Sequence, residues 1–294
     1  MFPLILKERR GRKCKMKSKL ILLVFLGVSI TLGSCSKSNC ISRKKISNGY
    51  DVSITKECIR KEKDIEVREV KEYDREGRIV AEKLYWNGKA HGIWRIWYYN
   101  GQKATEINYE DGKKEGIYRE WYPDGSIKTI INYVNNEPIE EEAWYPNKQR
   151  YLKKTYAKPG QLRKIEFWSP NGKFIKLKEY EYDELVLEQG WYENGKVSYT
   201  YRYRNRKPLN KKHWYPNGEP KYEESYDEYG QYIAIRYWYP NGRIHREKIF
   251  NKELLVSEKI WYKNGQMATS KTYRNGKLTK YEAWDRYGNL LVER

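Results

Sequence analysis

The sequence predicts an all-β chain, an elongated antiparallel β-hairpin repeat array with about 23–24 residues per repeat. Three observations predict it. Nine of the eleven tryptophans, from Trp97 to Trp284, are spaced 23 or 24 residues apart. Most of them open a five-residue unit of the form seen at Trp214-Tyr215-Pro216-Asn217-Gly218. Between these units, apolar and polar residues alternate with period two, as in Ile117–Tyr122, where Ile117, Arg119 and Trp121 share one side and Tyr118, Glu120 and Tyr122 the other.

Each unit reads as a strand end followed by a tight turn. Tyr215 takes turn position i, and Pro216 supplies the fixed φ of i+1. Asn217 takes i+2, and Gly218 enters the left-handed region that closes a G1 bulge. The same role falls to Gly101, Gly125, Gly172, Gly195, Gly242 and Gly265. Two copies are degraded, Trp144–Lys148 without the glycine and Trp284–Gly288 without Tyr-Pro-Asn. A weaker turn series lies between the units, at Asn87-Gly88, Asp111-Gly112, Asn135-Asn136, Asn205-Arg206 and Asn275-Gly276. Every period therefore holds two strands and two turns, which gives about 20 strands. After residue 66 no stretch has a helical pattern, and Leu290-Leu291-Val292 reads as the last strand.

The chain begins differently. Eight Lys/Arg between Lys7 and Lys19 precede an apolar run, Leu20–Leu32, too short for a comfortable membrane span. Leu32-Gly33-Ser34-Cys35 follows and resembles the lipobox of bacterial lipoproteins. The resemblance implies that residues 1–34 are a signal peptide and that Cys35 is lipidated as the mature N-terminus. Removing residues 1–34 lowers the formal charge from +20 to +13, so part of the basic character belongs to targeting. Residues 35–65 are polar, carry no Trp-Tyr-x-Asn-Gly unit and read as a lipidated, flexible tether. Cys40 and Cys58 lie within it; in an exported protein they form either one disulfide or two thiols that stay free or bind a partner. The repeat array then occupies residues 66–294.

Units such as Asn87-Gly88-Lys89-Ala90-His91-Gly92-Ile93-Trp94-Arg95-Ile96-Trp97-Tyr98-Tyr99-Asn100-Gly101 resemble bacterial MORN-type repeats of the YwqK-like variant, and Asp111–Gly125 matches equally well. The resemblance covers most of the mature chain. It implies successive hairpins in one sheet, and it implies membrane contact or protein scaffolding. YwqK-like chains are often labelled antitoxins, which implies an alternative role as an antitoxin or immunity protein that neutralises a toxin partner. Related repeats occur in some phosphatidylinositol-phosphate kinases, but no kinase motif is present here.

The residues themselves specify no chemistry. His91, His213 and His245 fall in three different repeats, and no spaced Cys/His set accompanies them. Glu140-Glu141-Glu142 reads as a solvated strand surface. There is no phosphate-binding glycine loop and no nucleophile elbow, since the glycines are turn glycines. The expectation is a chain that is not an enzyme and uses no cofactor or metal. One basic cluster stands out: Arg202, Arg204, Arg206, Lys207, Lys211 and Lys212. It nominates an anionic partner, a protein or an envelope component, while export argues against nucleic acid. The sequence-based expectation is thus a lipid-anchored, non-catalytic binding or scaffold protein of the bacterial cell envelope, at the outer membrane or cell surface. Glycan binding through exposed aromatic ladders is a third reading.

Overall fold

The structure, a computed structural model, describes residues 39–47 and 51–294. The signal segment and Cys35 lie outside the described residues. Everything described belongs to one open sheet of 23 strands with no helix. Each strand is hydrogen-bonded to its neighbours in sequence, antiparallel throughout, so the topology is a meander. Among the described residues one strand is broken, between Lys113–Lys114 and Gly116–Trp121, which both pair with Lys103–Glu110.

The polar segment 35–65 requires a correction. Its described part is strand, not tether: Asn39–Ser47 pairs with Asp51–Glu62, which pairs with Ile65–Tyr73. The charges that suggest a solvated linker find partners across these strands. Arg68 lies 3.2 Å from Glu57, and Arg60 pairs with both Glu62 and Glu69. Cys40 and Cys58 sit directly opposite each other and are joined by a disulfide.

The turns follow from short-range chemistry. At Gly218, φ is +92°, its N–H donates to Tyr215 O, and Tyr215 N–H donates to Glu219 O, both at 2.8 Å. That is a type I turn closed by a G1 bulge. The six other glycines predicted for this role have φ between +79° and +83° or, at Gly265, +98°. Lys148 holds the same geometry at φ +67° without being glycine, so the degraded Trp144 unit still turns. The second series uses two-residue loops with both residues at positive φ, as at Asn87 (46°) and Gly88 (79°), the type I′ signature.

The Trp-Tyr-x-Asn-Gly unit also does something that turn chemistry does not require. The Tyr215 hydroxyl donates to the Trp238 carbonyl, one repeat ahead, at 2.9 Å. Tyr98, Tyr122, Tyr145, Tyr192, Tyr239 and Tyr262 make the equivalent bond. Asn217 does two jobs: its Oδ1 accepts from Glu219 N–H at 3.1 Å, and its Nδ2 donates to Pro240 O at 2.7 Å. Five further asparagines repeat the second link. Asp124 has no N–H to offer and instead accepts from Ser126 N–H, which explains why aspartate is a weaker substitute here. Tyr215→Phe should lower stability by about 1 kcal/mol, the worth of one hydrogen bond. Urea unfolding of the full chain checks this, and an unchanged midpoint would remove the staple its role.

With one layer there is no second sheet to pack against, and few side chains are buried; Val67, Ala81, Ala143 and Ala234 are the most enclosed. Stabilisation comes from cross-strand rows. One face carries the periodic tryptophans and a row of alternating charge, Lys71, Glu82, Arg95, Glu106 and Arg119, each opposite the next. A second run on the same face comprises Lys212, Glu223, Arg236, Glu247 and Lys259. The other face carries Tyr199, Tyr201, His213, Tyr222 and Tyr237.

Candidate functional site

The six-residue basic cluster does not form one patch. Lys211 and Lys212 are adjacent in sequence and therefore face opposite sides of the strand Lys207–Trp214. Lys212 belongs to the alternating row, with Nζ 2.8 Å from Glu223. Lys211 lies on the tyrosine face, 3.4 Å from Glu224 and over the Tyr226 ring. Arg206 pairs with Glu184 at 3.0 Å, and Lys207 sits over Tyr229. Arg202 and Arg204 are exposed on the tryptophan face, alone of the six in having no ion pair or ring contact among the described residues. The Glu140–Glu142 run is likewise neutralised, Glu141 by Lys154 at 2.9 Å and Glu142 by Lys153 at 3.0 Å.

The tyrosine face brings together residues that are far apart in sequence. His213 is opposite Tyr199 on one side and Tyr222 on the other, and Tyr222 is opposite Tyr237. Ring centroids are 5.8 Å apart for His213–Tyr222 and 4.9 Å for Tyr222–Tyr237, at interplanar angles of 56° and 53°. The Tyr201 hydroxyl lies 3.1 Å from His213 Nε2. Burial pushes the His213 pKa below its usual value, and the Lys221 charge pushes it further. The Tyr222 and Tyr226 hydroxyls both donate to Glu224. Burial and those bonds raise both phenol pKa values, so each hydroxyl is held as a donor. Burial raises the Glu224 pKa, but the two phenols and Lys211 outweigh it and the net shift is downward.

Beside this row lies an open hollow of about 320 Å³ lined by His213, Tyr215, Lys221, Tyr222, Tyr237, Trp238 and His245. Two of the three histidines thus meet at one place, although they fall in different repeats. The third, His91, is stacked on Trp86 at 3.5 Å between centroids. A second hollow, about 370 Å³ and mostly apolar, lies on the tryptophan face around Ile127, Ile130 and Trp144, where Ile130 interrupts the charge row. Among the described residues no group of His, Cys, Asp and Glu is placed to hold a metal ion. The geometry offers fixed donors, ring faces and unpaired cations, which suits recognition.

The family model for the MORN repeat variant matches residues 90–111, 114–135 and 210–228. Over those three segments the chain is similar to MORN-type repeats. The matched MORN segments fall on consecutive hairpins at the start of the array and on the strands that bear Lys211, His213 and Tyr222. In the first two segments, Gly92 and Gly116 take φ of +63° and +73°, placing a second bulge within the hairpin. Repeats of this type are generally binding or scaffold modules. A search of curated proteins finds no match to the chain.

Proposed function

We propose that this MORN-type array is a non-catalytic binding scaffold, lipid-anchored at the bacterial cell envelope through Cys35, whose open faces engage a protein or an anionic envelope component. The observation that carries the reading is the single layer: a sheet without a second layer leaves two broad, ordered faces to solvent, with rings and charges repeated along them. The basic region, apolar run and Leu32-Gly33-Ser34-Cys35 support the anchor. The disulfide Cys40–Cys58 suits an oxidising compartment outside the cytoplasm. Arg202 and Arg204 are the cations of the basic cluster left for a partner.

Crosslinking in intact cells, followed by pull-down through the full chain, tests the reading. The parent should fractionate with membranes and capture a macromolecule, and Cys35→Ala should be unprocessed or released. A captured toxin would make the role that of an immunity protein, the alternative that the YwqK-like resemblance implies. If Cys35→Ala is processed and membrane-bound like the parent, the anchor is wrong. If the purified chain turns over a substrate, the non-catalytic reading is lost.

A further inference from the structure

We infer that the hollow bounded by His213, Tyr215, Lys221, Tyr222, Tyr237 and His245 is a subsite for one acidic saccharide unit of a polymer; this deepens the scaffold reading and rests on it. The lining combines tyrosine rings with the Lys221 ammonium and two imidazoles and contains no carboxylate. That combination matches a ligand with an apolar ring face, hydroxyls and a negative charge.

The charge is the telling part. In three repeats the residue inserted at the bulge after the turn packs against the turn tyrosine: Tyr151 on Tyr145, Lys221 on Tyr215 and His245 on Tyr239. At Trp121 this residue is Lys128, and its Nζ is 2.6 Å from Glu120, so its charge is spent within the sheet. At Trp214 the equivalent residue is Lys221, which lies over the Tyr215 ring at 5.7 Å. The place of Glu120, immediately before the tryptophan, is here taken by His213. Lys221 therefore has no carboxylate partner among the described residues. One repeat on, the bulge residue is His245, 4.5 Å from the Tyr239 ring, and the place of the glutamate is taken by Tyr237. Two consecutive repeats thus place a basic group beside the turn ring with no carboxylate at the position before the tryptophan.

The rings are arranged for a sugar. Tyr237 is 36% exposed, and its hydroxyl makes no hydrogen bond among the described residues, leaving a face and a polar edge free. Tyr222 beside it is fixed by its bond to Glu224. The 53° tilt between these two rings leaves no parallel slot for a flat base, and it makes an angled seat for a puckered ring. The volume of about 320 Å³ is at the small end for ligand sites, and the hollow is open, so a chain can enter and leave.

Isothermal titration of the full chain with polygalacturonate tests the subsite, with dextran as the neutral saccharide and polyglutamate as the acidic non-saccharide. Polygalacturonate should bind at least about fivefold more tightly than either control. Tyr237→Ala should weaken it about tenfold, Tyr237→Phe should keep it, and Tyr99→Ala, at an exposed turn in another repeat, should leave it unchanged. Lys221→Gln, on an exposed side chain, should weaken it about fivefold and reduce its salt dependence while leaving the urea midpoint unchanged. Equal binding of polyglutamate, or full affinity in both Tyr237→Ala and Lys221→Gln, overturns the subsite. If that happens while partner capture in cells persists, the scaffold reading stands and only its ligand is wrong.

Discussion

Gly190→Val should be among the most damaging single substitutions in the array, costing about 3 kcal/mol, at the upper end of overpacking. Gly190 is not a turn residue, and its φ is not in the left-handed region. It is buried in the strand Glu184–Trp191, directly opposite Tyr199. The Tyr199 ring lies across it, so that a Cβ on residue 190 would fall 2.8 Å from the ring Cζ and closer still to Cε1. Any side chain must expel the ring. Expulsion also breaks the bond from the Tyr199 hydroxyl to Glu188, now 3.2 Å, and the contacts of Tyr199 with Tyr201 and His213. Urea unfolding followed by circular dichroism measures the loss. Tyr199→Ala in the Gly190→Val background should recover part of it, because the clash then has no second party. Additive losses in the double variant would show that the ring is not the cause.

Glu258→Ala should cost about as much, about 3 kcal/mol, because it strands cations instead of crowding a ring. Glu258 is only 5% exposed and sits among Arg246, Lys248 and Lys271. Burial raises its pKa, but the Arg246 hydrogen bonds and then the charges of Arg246, Lys271 and Lys248 outweigh this, and the carboxyl is held below its usual range. The folded chain therefore binds the proton less readily than the unfolded chain. The stability from this group is fully present above the ordinary value of 4.5 and is lost as pH falls through the depressed folded value. Glu188 and Glu224 are shifted in the same direction and add to the loss. His213, depressed from 6.5, destabilises in the same sense but earlier, as pH falls below that value. Stability measured from pH 7 to 3 should fall in these two windows, and Glu258→Gln should flatten the lower one. An unchanged lower limb in that variant would show that Glu258 is not among the groups responsible.

What could be read from the sequence was what short-range chemistry determines. The period, the type I turn with its bulge and the positive φ of Gly218 all follow from five consecutive residues. The hairpin-repeat architecture follows from their repetition. The links from Tyr215 to Trp238 and from Asn217 to Pro240 were hidden, because they depend on which residues adjoin across a whole repeat. The spread of the basic cluster over both faces is hidden for the opposite reason. Lys211 and Lys212 are neighbours in the chain, and period-two alternation puts them on different faces, each beside a glutamate from the next strand. His213 and His245 were dismissed as unrelated, yet two hairpins bring them to one hollow. The strand Asp51–Glu62 was missed because it lacks the tryptophan unit on which the repeat reading depended.

The hydrogen-bonded order of the strands has a mechanical consequence. Each strand is held only by its neighbours in the chain, so tension applied between distant residues peels the sheet from its edge, loading ladder bonds one after another. Such a sheet yields hairpin by hairpin at modest force and can re-form the same way. The tyrosine and asparagine links alter this along the border of the tryptophan turns. They join turn to turn across successive repeats, so they lie along the line of pull and must rupture before each hairpin is released. The opposite border has backbone links of its own over its first loops, where the N–H groups of Asn87, Gly112, Asn136 and Gly160 donate to the carbonyls of Glu66, Ala90, Lys114 and Pro138. Where Ser169 replaces the tyrosine, the hydroxyl link is missing and Lys173 Nζ donates to Glu193 O at 2.8 Å instead, so this is where the border should give first.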